Sequence, residues 1–164
     1  MGKAMKVLAI AALLITIAGA GTVLYAVNTW EPVIVQAVVT AIPAEQAKEI
    51  FDAAVSQVKH ETFTGRAFAG VSGLEAQGCT FLTYTVRLKN RGFFPAEWIA
   101  LDVQPAEGDV LQLDNVQANV LPSGTEGDIA ATILHQGDAS DTKRTFTVSA
   151  YVFGRKVTVE GAAE

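Results

Sequence analysis

An uncharged apolar run near the N-terminus constrains this chain more than any other feature. Residues 7–27 read VLAIAALLITIAGAGTVLYAV, which is 21 residues without a charge. At 1.5 Å per residue, a helix of this length spans about 30 Å, the thickness of the hydrocarbon core of a bilayer. Backbone groups in lipid must be hydrogen-bonded within the segment itself. The run therefore predicts a transmembrane helix over residues 7–27, through which the chain contacts the lipid bilayer.

The charges that flank this run predict its orientation. Lys3 and Lys6 precede it, and the next basic residue is Lys48. Basic residues near a membrane span are retained in the cytoplasm. We therefore expect a signal anchor, with residues 1–6 as a cytoplasmic tail and residues 28–164 outside the membrane.

A cleaved signal peptide is the competing interpretation of the same run. Ala18-Gly19-Ala20 has the A-x-A pattern of a signal-peptidase site, with basic and apolar regions before it. Cleavage there would leave the apolar residues up to Val27 at the start of the mature protein. That continuation favours the anchor, and a secreted protein is the alternative.

The composition of the remaining chain bounds its class. Residues 28–164 carry 10 Lys and Arg against 17 Asp and Glu, which argues against a nucleic-acid partner, since binding to phosphates needs clustered basic residues. A single cysteine excludes an internal disulfide framework and a cysteine-based zinc site within one chain. The length suits one globular domain.

Residues 28–60 are predicted to form a connector strand and an amphipathic helix. Residues 32–39 (PVIVQAVV) form a β-branched apolar run that is typical of a strand. In residues 43–60 apolar side chains recur at helical spacing, which predicts a helix that packs on or beside the following domain. The predicted apolar face consists of Ala47, Ile50, Phe51, Ala54, Val55 and Val58.

From residue 61 to residue 160 the apolar pattern changes to a period of two. Residues 82–88 alternate Leu, Tyr, Val and Leu with polar residues, and further strands are predicted over 99–103, 110–113 and 129–134. Alternation returns over 146–152, and a turn over 153–156 leads into Val157 and Val159, which predicts a terminal hairpin. Short strands separated by turn signals predict an antiparallel β-sandwich, so the fold class is mainly β. Residues 161–164 are predicted to be a frayed tail.

Two short segments carry a resemblance to a known class of module. Residues 84–92 (YTVRLKNRG) and residues 121–129 (LPSGTEGDI) resemble strand-and-turn segments of bacterial immunoglobulin-like, cell-adhesion-related domains, and more distantly the late-embryogenesis-abundant sandwich. The resemblance implies an immunoglobulin-like sandwich at the cell surface. It implies no catalytic residues, because such modules share no active site.

Few residues of the sequence suggest a catalytic or metal-binding site. Cys79 stands beside no obvious base, and we expect a small buried strand residue rather than a reactive thiol. His135, Asp138 and Asp141 share a polar segment, but their spacing lacks the pattern of an oxygen cage for calcium, so we expect a solvated loop. We therefore expect no catalytic, cofactor or metal site.

Three aromatic residues form the most suggestive group. Phe93, Phe94 and Trp98 surround a proline in GFFPAEW, between two predicted strands. Loops at the end of a sandwich often bind partners, and aromatic residues dominate interface hot spots. The alternative is structural, in which these rings close the end of the sandwich or pack on the helix over residues 43–60.

The sequence thus predicts a non-catalytic, membrane-anchored interaction or accessory module of the bacterial cell envelope, with a protein or envelope partner. A pilin-like filament subunit is an alternative, because an apolar helix followed by a β-rich head is also typical of pilins. That alternative lacks the leader-cleavage pattern and the acidic residue near the start of the helix.

Overall fold

The computed structural model describes residues 3–28, 32–113, 120–137 and 143–163. In this part of the chain the fold is mainly β, with two α-helices and two antiparallel sheets. The elements in chain order are α1 (Lys3–Asn28), β1 (Val33–Pro43), α2 (Lys48–Lys59, preceded by a 3₁₀ turn over Ala44–Ala47), β2 (Arg66–Ala67), β3 (Cys79–Lys89), β4 (Glu97–Val103), β5 (Asp109–Leu113), β6 (Glu126–Gln136), β7 (Thr145–Val152) and β8 (Arg155–Ala162).

The two sheets enclose the main hydrophobic core. One sheet has the strand order β1-β3-β6-β5-β2, and the other has the order β4-β7-β8. The alternation predicted for residues 82–88 is confirmed, since its four apolar side chains are buried. Alternate residues of the opposing sheet are buried in the same cluster, in which the largest fully buried side chains are Leu82, Tyr84, Leu88, Ile133 and Phe146.

Helix α2 covers part of the outer face of the larger sheet. It contributes Phe51, Ala54 and Val55 to a second buried cluster, together with side chains of β3, β5 and β6. The predicted packing of this helix on the sheet is thus confirmed. One position differs from the prediction, because the Ile50 side chain is 56% exposed.

Helix α1 extends away from the sheets. Over Met5–Asn28 it is long and apolar enough to cross a membrane, and this stretch is exposed except at its last turn. The hydroxyl groups of Thr16 and Thr22 each donate to the carbonyl oxygen four residues earlier, at 2.9 Å, so these polar groups are satisfied within the helix. At the other end, Val27 is buried in the main core cluster.

The chain enters the sandwich at one end, which we call the helix-proximal end. It consists of the loop 90–96, the loop 121–125 and the turn 153–154. The register identifies this end, because Val33, the first residue of β1, lies opposite Lys89 at the end of β3, which lies opposite Glu126 at the start of β6. An isolated bridge between Ala96 and Leu121 joins the two loops.

Two segments differ from the sequence prediction. The region 60–78 between α2 and β3 contains only the two-residue strand β2, so the regular strands begin later than residue 61. The frayed tail predicted over residues 161–164 is wrong for its first three residues: β8 continues to Ala162, and Ala163 is buried and donates its N–H to the carbonyl of Arg144. Residue 164 lies outside the described residues.

Candidate interaction surface

The loop that carries Phe93 and Phe94 is held by a buried asparagine. Asn90 Nδ2 donates to the carbonyl oxygens of Phe94 and Leu121, at 2.8 and 2.9 Å, and its Oδ1 accepts from the N–H of Gly92. The backbone of Asn90 also bonds to the neighbouring loop, at Gly124 and Thr125. Because a buried amide costs free energy unless it is hydrogen-bonded, this network fixes the loop geometry.

The three aromatic residues predicted as a site occupy different environments. Phe94 packs against the main core and makes an edge-to-face contact with Phe153, with ring centroids 4.4 Å apart and an angle of 83°. Phe93 is 85% exposed and points away from the core. Trp98 lies inside β4 rather than in the loop, and its side chain is 61% exposed.

A fourth aromatic residue, which the sequence did not single out, lies at this end. Phe153 lies in the turn between β7 and β8 and is 67% exposed. The sequence Phe-Gly-Arg-Lys predicts a turn, but it does not show that Phe153 would contact the loop that carries Phe94. We call Phe93, Trp98 and Phe153 the aromatic rim.

Two residues of the aromatic rim adopt an unusual backbone conformation. The φ angles of Trp98 and Phe153 are 52° and 49°. Side chains with a Cβ rarely occupy this region, and holding one there costs on the order of 1–3 kcal/mol. Trp98 lies where the pairing of β4 with β7 shifts register, between Glu97 and Ala100. Such bulges re-aim a side chain, here towards solvent.

Basic residues also lie at or next to the helix-proximal end. Arg87 donates two hydrogen bonds to Asp128, at 2.8 and 2.9 Å, and Lys89 Nζ lies 2.9 Å from Glu126. A hydrogen bond from Arg87 holds the pKa of the Asp128 carboxyl below its ordinary value. Three further basic side chains at this end are exposed, namely Arg91, Arg155 and Lys156.

Comparison with known proteins assigns this chain to no family. No family model matches the chain, and no curated protein matches it.

A buried charged cluster lies at the opposite end of the sandwich. The carboxylate of Asp109 accepts hydrogen bonds from Arg144 Nη1, from the Ala106 N–H at 2.8 Å and from His135 Nδ1 at 3.0 Å. The side chains of Asp109 and Arg144 are nearly inaccessible to solvent. The Arg144 guanidinium also lies 5.9 Å from the ring centre of Tyr84. These contacts hold the side chains of Asp109, His135 and Arg144 in fixed positions.

This cluster corrects the prediction of a solvated loop at His135. The residue belongs to β6, is 7% exposed and is paired with Asp109. The other two residues of the predicted polar segment, Asp138 and Asp141, lie outside the described residues. Within the described ranges, no three His, Cys, Asp or Glu side chains form a group that could hold a metal ion.

Cys79 occupies a structural position as well. It is buried in the second cluster, beneath α2, and burial raises the pKa of its thiol. A thiol that is protonated and covered is a poor nucleophile.

Gly108 allows the backbone to approach the charged cluster closely. Its φ is +89°, and a Cβ built there would lie 2.6 Å from both the Gln136 carbonyl oxygen and His135 Cε1. We expect Gly108→Ala to lower the free energy of unfolding by about 1–3 kcal/mol more than Gly73→Ala does. Gly73 is the matched control because its φ is also positive, at +75°, whereas a Cβ there meets nothing within 4 Å. Equal losses in urea denaturation of the two variants would contradict the close approach.

Proposed function

We propose that this chain is a single-pass membrane protein of the bacterial cell envelope, whose extracytoplasmic sandwich acts as a non-catalytic interaction or accessory module. The observation that carries the proposal is the junction at Val27. An exposed apolar helix ends there against the sandwich core, and the same end of the sandwich displays the aromatic rim. Residues 1–6 would then be cytoplasmic, and residues 28–164 would be outside the membrane.

The strand order supports an immunoglobulin-like assignment of the sandwich. In constant-type immunoglobulin domains the strands are ordered A-B-E-D in one sheet and C-F-G in the other. With β2 set aside, the strands here are ordered β1-β3-β6-β5 and β4-β7-β8. If these seven strands are lettered A to G in chain order, the two sheets have the orders A-B-E-D and C-F-G, as in the constant-type domain. The departure is an insertion between the first two of them, which contains α2 and β2.

The positions of the imidazole and thiol groups support a non-catalytic role. His135 is hydrogen-bonded to Asp109 in a buried cluster, and Cys79 is buried in the second cluster, so both groups serve the packing of the sandwich. The other imidazole, His60, is exposed at the C-terminal end of α2. The exposed side chains at the helix-proximal end include aromatic and basic groups, which suit binding rather than bond-making chemistry.

Cysteine labelling tests the anchor and its orientation. In a Cys79→Ala background, we introduce Gly2→Cys in the predicted cytoplasmic tail and, separately, Glu107→Cys in the exposed loop between β4 and β5. With a membrane-impermeant maleimide on intact cells, we expect labelling at residue 107 and labelling at residue 2 only after lysis. The reverse pattern would contradict the orientation.

The same variants separate an anchor from a cleaved signal. If the segment is retained, peptide mapping of the mature protein recovers residues before Ala20, and the Gly2→Cys variant is labelled after lysis. A mature N-terminus at Gly21, with the protein outside the membrane fraction, would favour the secreted alternative.

A further inference from the structure

The position of the aromatic rim relative to α1 determines what surface it meets. Five Cα-to-Cα steps join Asn28, the last residue of α1, to Val33, the first residue of β1. A chain of that length spans at most about 18 Å. Val27 is moreover buried in the core of the sandwich, while α1 before it projects away from the domain. The helix-proximal end is therefore the part of the domain nearest to the point where α1 ends.

The chemistry of the aromatic rim suits a membrane surface. Phe93 and Phe153 are exposed apolar side chains in the loops at this end, and Trp98 is exposed near the start of β4. Aromatic rings concentrate at the level of lipid headgroups, where one part of the ring is in an apolar environment and the other is wet.

The charge distribution indicates which lipids this end prefers. Residues 28–164 are acidic as a whole, yet half of their ten basic residues lie at or next to the helix-proximal end. These are Arg87, Lys89, Arg91, Arg155 and Lys156. Among the described residues, the acidic side chains at this end are Glu97, Glu126 and Asp128, and the last two are paired with Lys89 and Arg87. The exposed Arg91, Arg155 and Lys156 can therefore face anionic headgroups.

We propose that the helix-proximal end is a second membrane contact, in which the aromatic rim and its basic neighbours dock on the anionic headgroup layer beside α1. This inference rests on the proposed membrane anchor, since a domain that is not tethered there would have no such surface next to it. Docking would hold the sandwich upright on the bilayer with α2 and the buried charged cluster directed away from the headgroups. A protein that binds the aromatic rim is the competing outcome.

Fluorescence quenching by lipid tests the contact on the full chain. In the Cys79→Ala background, a bimane probe is attached at Thr125→Cys, in the loop that bonds to Asn90, at Glu107→Cys at the far end, or at Leu24→Cys in α1. The variants are reconstituted in phosphatidylcholine vesicles, with and without phosphatidylglycerol, that contain a lipid with a shallow doxyl group. We expect strong quenching at residue 24 in both, quenching at residue 125 that increases with phosphatidylglycerol, and none at residue 107.

Substitutions of exposed side chains separate docking from mere tethering. Phe93→Ser combined with Arg155→Gln and Lys156→Gln is expected to abolish quenching at residue 125 and leave quenching at residue 24 unchanged. The matched control is Lys48→Gln with Lys59→Gln on α2, which should retain quenching at residue 125. Because all of these side chains are exposed, the fold is expected to survive, and far-UV circular dichroism checks this.

The outcomes distinguish this inference from the proposed function. Loss of quenching at residue 24 would overturn the membrane anchor itself. Quenching at residue 24 without quenching at residue 125 would overturn docking alone and leave the aromatic rim available to a protein. Quenching at residue 125 that persists in the triple variant would show proximity caused by the tether, and would also overturn the proposal.

Discussion

Replacing Asp109 by alanine is expected to lower the free energy of unfolding by about 3–5 kcal/mol. The carboxylate is inaccessible to solvent and accepts hydrogen bonds from Arg144, His135 and the Ala106 N–H. Its removal leaves the Arg144 guanidinium buried without its counter-charge. A buried charge that loses its partner costs far more than the pair contributes, because the remaining ion cannot be rehydrated.

Urea denaturation of the full chain in mild detergent, followed by tryptophan fluorescence, measures this loss. Asp102→Ala is the matched control, since Asp102 also pairs with an arginine, Arg66, but both side chains are more than half exposed. An exposed pair contributes only about 0–1 kcal/mol, so the control should be near wild type. Similar losses in the two variants would show that the buried cluster has no special role in stability.

The stability contributed by Asp109 should also depend on pH. Burial alone raises the pKa of this carboxyl, but hydrogen bonds from Arg144, the Ala106 N–H and His135 together hold the pKa below its ordinary value. A carboxyl whose pKa is lower in the folded state stabilises the fold above its unfolded pKa, about 3.9, and loses that contribution as the pH falls through the folded pKa. The difference in stability between wild type and Asp109→Asn should therefore be largest near neutral pH and shrink below about pH 4. A difference that stays constant with pH would contradict this account.

The period of the apolar pattern was sufficient to predict the main core. Strand β3 shows why, since Leu82, Tyr84, Val86 and Leu88 alternate with polar residues, and burial of one face follows from the pleat alone. The apolar run that became α1 needed only its length and lack of charge. Features that depend on a pattern along the chain could thus be predicted without any knowledge of tertiary contacts.

The buried charged cluster could not be predicted in the same way. His135 and Arg144 lie 26 and 35 residues after Asp109 in the chain, and each of the three lies in a polar stretch of sequence. Polar residues are exposed by default. The pairing of β5 with β6 places Asp109 opposite His135, and the packing of the two sheets adds Arg144, which directly precedes β7. The aromatic rim could not be predicted for the same reason, because Phe153 contacts Phe94 through the packing of the two sheets rather than through proximity in the sequence.

Helix α2 shows where periodicity stops being sufficient. The helical spacing placed Ile50 and Phe51 on one apolar face, but adjacent positions on a helix are 100° apart. The buried side of the helix is formed by Phe51, Ala54 and Val55, each at most 7% exposed, whereas Ile50 lies at the edge of the predicted face and points to solvent. Which residue is buried depends on how the helix is rotated against β3 and β6. That rotation is set by the packing of the second cluster.

Phe51→Ala is therefore expected to destabilise the fold by about 3–5 kcal/mol, since it removes a ring from that second cluster and leaves a cavity. Phe51 packs in the same cluster as Phe81 and Leu134, which the sheet presents beneath α2. Ile50→Ala is the control from the same helix and should change stability by no more than about 0.5 kcal/mol. The free energies of unfolding come from urea denaturation of both variants in the same detergent. If Ile50→Ala proved as costly as Phe51→Ala, α2 would be rotated differently on the sheet, and the insertion between the first two sandwich strands would bury a different face.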